Sequence, residues 1–509
     1  MSVRSAADHS SSSGAQASDR RATSWSRLLP TVTVALLAGL VYLAASGSLI
    51  DDAYITLSYA KQFGLHLHWG LAPGEVANTA TSPLPVLLLS LLIAIVRDGV
   101  VALGILVVLC AVGTEYGLRR CARAVGIPWW LGLLATVLCL FNPLVLSTIG
   151  MAVLLAIALA VALLVAAVEG RPWAFGVIAG LLVLVRMDLV LVVGALFLLR
   201  RRWWVGWYKS VSVALLIAAS WLVTSWFLLG SAVPDTFVIK TGQGSWGEFT
   251  FANGALLYFN SFPIATVLTI VPVAAGAIIA LCWALRRAFG GSAAGGRLNA
   301  LVGLPVAAAA HFGAYAILVV PPYPWYYGPT VVLMTVYVAA ALTIWISRCQ
   351  RVPARAVAAL PVAALLVAFV GSYVSAGLPR EYVPIQTNHA SAAQYREIAR
   401  DLDEIVGDSA VAAGLEIGTL AYYCSCRLYG DFSDRGYFAG LLEAYLKEAS
   451  PLKRKLLAWN YRHFDRSTQP APTEYTLYEA GEVPETAVAA WPIYSPWGGS
   501  GYVVLTRNE

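Results

Sequence analysis

Charge is scarce in this chain. Of its 509 residues, 12% are Asp, Glu, Lys or Arg, about half of the ~25% carried by a soluble globular domain. Cysteine is also sparse, with seven in the whole chain, which excludes a disulfide-rich secreted scaffold. Hydrophobic residues fill the space, at 59% of the sequence and a mean hydropathy of +0.70. A soluble protein this apolar could not cover its surface with polar groups, so a cytosolic enzyme and a disordered regulator are excluded as well. The composition is that of a polytopic membrane protein.

The few charges are unevenly placed. Residues 378–509 hold 12 bases and 17 acids, a net of −5, whereas residues 1–377 hold 22 bases and 11 acids, a net of +11. A basic membrane body thus precedes an acidic, soluble-looking domain. The bases of the body sit in short loops between apolar runs, which argues against nucleic acid as a partner. Met1 to Arg27, rich in Ser, Ala and Arg, is expected to be a disordered cytoplasmic tail.

Apolar runs near 29–49, 99–118, 128–146, 150–168, 172–187, 188–200, 208–229, 257–285, 299–319, 329–347 and 356–376 predict eleven spans, the fifth and sixth short enough to be half-helices. The run 84–96 is too short to span and is expected to be interfacial or re-entrant. With the N-terminus inside, 18 of the 22 bases, Arg119, Arg120, Arg123 and Arg200 to Arg202 among them, fall on the inner side, as topology rules require. Lys61, Arg97, Arg186 and Lys240 stay outside. An odd number of spans then puts residues 378–509 outside the plasma membrane. The expected fold is an α-helical polytopic membrane domain over 28–377, with about 11 transmembrane helices and a first outer loop at 50–98, followed by an extracytoplasmic α/β domain. In that domain Ser391 to Ile405 and Tyr437 to Lys447 read as helices, and Ser409 to Leu415 and Gly501 to Thr506 as strands.

The outer face receives Asp51, Asp52, Glu75, Asp98, Asp188, Asp235 and Glu248, seven of the body's 11 acids. Acids, few bases and a fringe of Trp and Tyr suit neutral polyhydroxy ligands such as sugars. After the first span, Ile55, Tyr59 and Phe63 form one apolar stripe of a short helix headed by Asp51 and Asp52. One Asp would suffice as an N-cap. A second carboxylate at a membrane boundary, where charge is costly, suits a general base or a metal ligand. His66 and His68 follow without a third ligand at a metal-site spacing. Five cysteines (Cys110, Cys121, Cys139, Cys282 and Cys349) lie in or beside spans and read as apolar fillers. Cys424 and Cys426 fall outside, where a disulfide can persist; a mutual bridge and free thiols both remain open.

Several segments together carry a resemblance. Asp51-Asp52-Ala53-Tyr54-Ile55-Thr56, then Pro73-Gly74-Glu75, then Thr81-Ser82-Pro83-Leu84 resembles the first outer loop of GT-C glycosyltransferases. Within them it is similar to the actinobacterial arabinofuranosyltransferases that add terminal β-(1→2) residues. The stretch Leu229 to Lys240, Trp325-Tyr326-Tyr327-Gly328-Pro329 and Gly414 to Tyr423 resemble later motifs of that family, in the same order. Two positions depart from it: Gly150-Met151-Ala152 stands where the family shows Gly-Leu-Glu, and Val185-Arg186-Met187-Asp188-Leu189 keeps the Arg and Asp of Thr-Arg-Pro-Asp-Gly without its Pro and Gly.

The resemblance implies an inverting transferase that takes a sugar, arabinofuranose, from a polyprenyl-phosphate donor in the membrane lipid to a cell-wall or lipoglycan acceptor. It implies Asp51 or Asp52 as the base. Arg186 and Lys240, two of the four outer bases, are the candidates to hold the donor phosphate. Tyr54, His68, Glu75, Asp188, Asp235, Trp325, Tyr326 and Tyr327 are the candidate substrate contacts. No metal ligand set is assigned, and a divalent cation requirement stays open. The alternative reading is a non-catalytic translocator or carrier of lipid-linked sugar.

Overall fold

The structure, a computed structural model, describes residues 12–74, 76–198, 206–289, 296–375, 377 and 381–508, with side chains from Leu28 onward. Glu75 and Arg200 to Arg202 lie outside the described residues. The membrane body is built from α1 (Ser12–Ala45), α2 (Asp51–His66), α3 (Pro83–Val96), α4 (Gly99–Val125), α5 (Leu131–Leu140), α6 (Pro143–Ser147), α7 (Val153–Glu169) and α8 (Pro172–Val185). It continues through α9 (Val190–Leu198), α10 (Trp207–Leu228), α11 (Thr236–Gln243), α12 (Gly254–Ser261), α13 (Pro263–Ala288), α14 (Gly303–Leu318), α15 (Pro324–Arg348) and α16 (Val352–Ser375).

Among the described residues, seven helical stretches are long and apolar enough to cross a membrane: Leu28–Ser48, Gly99–Val125, Trp207–Leu228, Pro263–Ala288, Leu298–Leu318, Pro324–Arg348 and Val352–Ser375. The other four expected spans fall on shorter apolar helices. Two breaks account for much of the shortening. Pro143 stops the run 128–146, because its ring cannot continue α5, and Asn142 caps the new helix α6 through its side-chain oxygen. The run 172–200 breaks at Arg186, which leaves the helical region for an extended backbone (φ −159°, ψ 130°). Backbone that is not helical at membrane depth is tolerated where it lines a cavity, and Arg186 does so.

Helix α1 begins at Ser12, within the stretch before Arg27. The segment mixes Ser with Ala and Arg, the last two good helix formers, and has no Pro before Pro30 to stop the span's helix from extending backward. The short run 84–96 is α3, packed on α2. Gly64 is needed at their crossing, since a Cβ there would meet the Ser90 carbonyl at 2.6 Å.

The C-terminal cap contains α17 (Ala392–Val406), α18 (Gly418–Tyr423), α19 (Arg435–Glu448), α20 (Pro451–Asn460) and strands β1 (Ala410–Ala413), β2 (Arg427–Tyr429), β3 (Tyr475–Ala480), β4 (Ala487–Ser495) and β5 (Gly499–Arg507). The strands form one mixed sheet in the order β2-β1-β3-β5-β4, with β1 parallel to both neighbours and β5 antiparallel to both of its own. Helix α17 starts at a capping box formed by Ser391 and Gln394. Cys424 and Cys426 are joined in a disulfide.

Cap and body meet along α2. The Asp51 carboxylate accepts hydrogen bonds from the amides of Gly418 (2.8 Å) and Thr419 (2.6 Å) at the start of α18. Lys61, near the other end of α2, donates to the Tyr422 carbonyl at 2.8 Å. An acid thus sits at the amino end of α18 and a base at its carboxyl end, the signs that unpaired helix-end groups favour. Gly418 permits the approach, because a Cβ there would lie 2.2 Å from the Asp51 carbonyl.

Candidate functional site

Two cavities open where the body meets the cap, and both reach Asp52. The first, of about 400 Å³, has walls from α2, α3, α11, α14, the break after α8 and the α10–α11 loop, including Pro85, Val86, Val233, Phe237, Leu318 and Val320. Its charged groups are Asp52, Arg186, Asp188 and Lys240, joined by the hydroxyls of Thr56, Thr236, Thr241, Tyr315, Tyr326 and the Thr79–Ser82 loop. The second, of about 380 Å³, lies on the cap side and is lined by Asp51, Asp52, Lys240, Gln243, Asn388, His389 and Glu416 together with the rings of Trp246, Tyr323, Trp325 and Trp497. Asp52, Ile55, Lys240, Trp325 and Phe432 are common to both.

The adjacent aspartates differ sharply. Asp51 is buried, at 4% exposure, with its oxygens spent on the α18 amides. Burial pushes its pKa up to about 6, opposed by the two backbone hydrogen bonds. The Asp52 side chain is 28% exposed and pairs with Lys240 at 3.2 Å. The Lys240 ammonium lies 4.1 Å from the centre of the Tyr323 ring and 5.0 Å from that of Trp325, within cation–π range. Helix α11 holds Lys240 in its last turn, and Val238 and Ile239 of the same helix pack into an apolar core with Phe438, Leu442 and Tyr461 of the cap.

Arg186 is fixed from three sides. It donates to Asp188 (3.0 Å) and to the Tyr315 hydroxyl (2.7 Å), and its guanidinium lies 5.0 Å from the Tyr326 ring centre. Asp188 in turn meets His311 Nε2 at 2.8 Å. A buried cation that is paired and hydrogen-bonded can be retained at membrane depth. Met151 and Ala152, where the related pattern has an acid, line the first cavity, so that part of its wall is apolar in this chain.

Among the expected site residues, the structure gathers Asp52, Arg186, Asp188, Lys240, Trp325 and Tyr326 around the first cavity and brings Asp51 to the second. Four others line neither. Tyr54 is fully buried against the rings of Tyr422 and Tyr423 and serves the α2–α18 contact. Asp235, at 2% exposure, accepts from Ser231 at 3.0 Å and is pushed up to about 7 by burial. Tyr327 stacks on Phe251 at 4.3 Å and donates to its carbonyl. His68 lies in the loop after α2, away from both cavities. Glu75 lies outside the described residues.

Sequence reasoning missed the cap's contribution. Glu416 accepts from Asn388 (3.0 Å), the His389 amide (3.1 Å) and the Tyr395 hydroxyl (2.8 Å); burial and the nearby Asp51 hold its pKa well above the usual carboxylate range. Its position inside the segment Gly414 to Tyr423 was the available signal. His311 was missed as well; a lone polar residue within an apolar span was the available signal. Among the described residues, one group of three potential metal ligands converges, Asp403 with Cys424 and Cys426. Those two sulfurs are bonded to each other and are not the thiolates a metal takes.

No protein-family model matches the chain, and no curated protein matches its sequence. Its fold is similar to that of ArnT from Cupriavidus metallidurans in the apo state, with a TM-score of 0.54 at 15% identity, covering 95% of this chain and 98% of that one. The same protein bound to undecaprenyl phosphate gives 0.54 at 14% identity, with the same coverage. The Archaeoglobus fulgidus oligosaccharyltransferase in complex with Zn and sulfate gives 0.50 at 14% identity, covering 92% of this chain and 72% of that one. The likeness is one of fold, a helical membrane body followed by a C-terminal domain.

Proposed function

We propose that the chain is an inverting glycosyltransferase of the plasma membrane, moving a sugar, arabinofuranose, from a polyprenyl-phosphate donor to a cell-envelope glycan. The supporting observation is the convergence of an apolar and a polar cavity on one ion pair, Asp52 with Lys240. The apolar walls of the first cavity suit an isoprenoid chain. Arg186 and Lys240, at its polar end, suit the phosphate, a fit strengthened by the undecaprenyl phosphate bound to the similarly folded ArnT. In this reading residues 28–377 form the membrane domain, residues 378–509 cover it from the extracytoplasmic side, and the N-terminus is cytoplasmic.

The chemistry then assigns one role to each group. Asp52 takes the proton of the attacking acceptor hydroxyl, as a general base within hydrogen-bond reach does. The acceptor oxygen bonds to the anomeric carbon as the bond from that carbon to the phosphate oxygen breaks on the opposite face. The transition state has oxocarbenium character. Negative charge develops on the leaving phosphate, where the fixed guanidinium of Arg186 and the ammonium of Lys240 stabilise it.

The test is transfer from radiolabelled decaprenyl-phosphoryl-arabinofuranose to an arabinan oligosaccharide by protein in lipid nanodiscs. Asp52→Asn is expected to abolish transfer while donor binding survives; full transfer by that variant overturns the assignment. Wild-type protein that retains the lipid-linked sugar and transfers none would instead be a carrier.

A further inference from the structure

Helix α20 carries two apolar faces. Leu457, Asn460 and Tyr461 are buried against the cap, while Leu452, Leu456 and Trp459 are 70%, 60% and 57% exposed. At i, i+4 and i+7 these three share one side of the helix, which stays largely open among the described residues, with Trp459 against one neighbouring ring. Residues 451–463 are also the basic part of an otherwise acidic cap, holding Lys453, Arg454, Lys455 and Arg462 and no acid. Arg454 is occupied with the last carbonyls of α19, whereas Lys453, Lys455 and Arg462 stand exposed, Lys453 with its ammonium 4.2 Å from the Tyr445 ring centre.

The position of this face identifies what it meets. Trp459 stacks on Trp226 at 5.0 Å, the Trp226 indole donates to the Trp459 carbonyl at 3.1 Å, and His463 lies 4.6 Å from Trp226 and 4.9 Å from Phe227. Trp226 and Phe227 form the last turn of α10, a stretch long and apolar enough to cross a membrane that also exposes Leu215, Leu216, Val223 and Leu228. The exposed face of α20 therefore continues the lipid-facing side of α10 at the level where the helix leaves the bilayer. Aromatic rings belong at that level.

We propose that α20 is an interfacial helix that seats the cap on the membrane, with Leu452, Leu456 and Trp459 among the acyl chains and Lys453 and Lys455 at anionic phospholipid headgroups. An amphipathic helix with basic flanks binds a leaflet in this way. The contact reaches the candidate site through two short links. Asn460 accepts hydrogen bonds from the amides of Ala232 and Val233, in the loop that borders the first cavity, and Leu457 and Tyr461 share an apolar core with Val238 and Ile239 of α11, the helix that carries Lys240.

The experiment places a bimane label on Leu456→Cys in full-length protein whose non-buried free cysteines are replaced (Cys282→Ser, Cys349→Ser), reconstituted in nanodiscs with brominated phospholipid. A label on Glu485→Cys, in an exposed turn of the cap, is the reference. The expected result is loss of emission at 456 and none at 485, with a larger loss in phosphatidylglycerol than in phosphatidylcholine discs. The pair Lys453→Gln and Lys455→Gln is expected to remove that lipid difference. Emission at 456 that bromine leaves untouched overturns the proposal. If aqueous iodide also fails to quench it, another protein surface covers the helix. Equal quenching in both lipids overturns the headgroup part.

Discussion

The two cavities are neighbours that differ in kind. The membrane-side cavity is a greasy cleft whose charged groups are held in place by their neighbours, Arg186 by Asp188 and Tyr315, and Asp188 by His311. The cap-side cavity mixes amide, imidazole and carboxyl groups with four large aromatic rings, a surface for a hydrated, polyhydroxylated ligand. In the proposed reaction a lipid-linked substrate and a glycan acceptor would occupy these two different solvents and react at their boundary. Asp52 and Lys240 stand there.

The sharpest way to break this comparison is at the shared carboxylate. Asp52→Asn should lower kcat for sugar transfer by about 10²- to 10⁴-fold with unchanged thermal stability. Asp51→Asn should instead loosen the cap, since Asp51 is held by the amides of α18; its loss should appear in melting temperature before kcat. Equal kcat losses in two equally stable variants would deny the difference between them.

On the membrane side, Arg186→Gln leaves Asp188 buried beside His311 without its guanidinium. Removing one partner of a buried pair costs about 3–5 kcal/mol, so this variant should be the least stable in a thermal unfolding series and should also bind donor weakly. On the cap side, the raised pKa values of Asp51 and Glu416 mean that the folded protein holds protons an unfolded chain releases. That stability is present below the ordinary carboxylate range and is lost as pH rises through about 6 for Asp51. The stability of wild type, followed by its melting temperature, should therefore fall between about pH 4 and pH 6, by up to ~3 kcal/mol of unfolding free energy for Asp51, and Asp51→Asn should flatten the slope. The smallest effect is expected for Trp497→Ala, which removes one ring of the cap-side cavity: acceptor KM should rise about 2- to 10-fold while donor KM stays put. A change in donor KM instead would assign that ring to the wrong ligand.

Hydropathy and charge made the membrane body legible, because a span must be long and apolar whatever it packs against. Each of the eleven apolar runs falls on a helix, and α17, α19, β1 and β5 cover the cap elements expected from periodicity. The outer-loop acids and the aromatic entrance at Trp325 were visible for the same local reason. The apparent signals at Tyr54, Asp235 and Tyr327 led elsewhere, because a polar aromatic or acid next to a motif can equally serve the packing that supports it. The contribution of Glu416, Asn388 and Trp497 was hidden, since these residues reach the site only when the cap folds over the body.

The sequence by itself determined that this protein lives in a membrane, that its sparse charge sits between apolar runs, and that Asp51 and Asp52 open a helix after the first of them. Only the tertiary structure decided between the two aspartates. Successive side chains on a helix point about 100° apart, so one of the two had to turn away from whatever the other faced. Which one turned was set by Gly418 and Thr419, more than 360 positions along the chain.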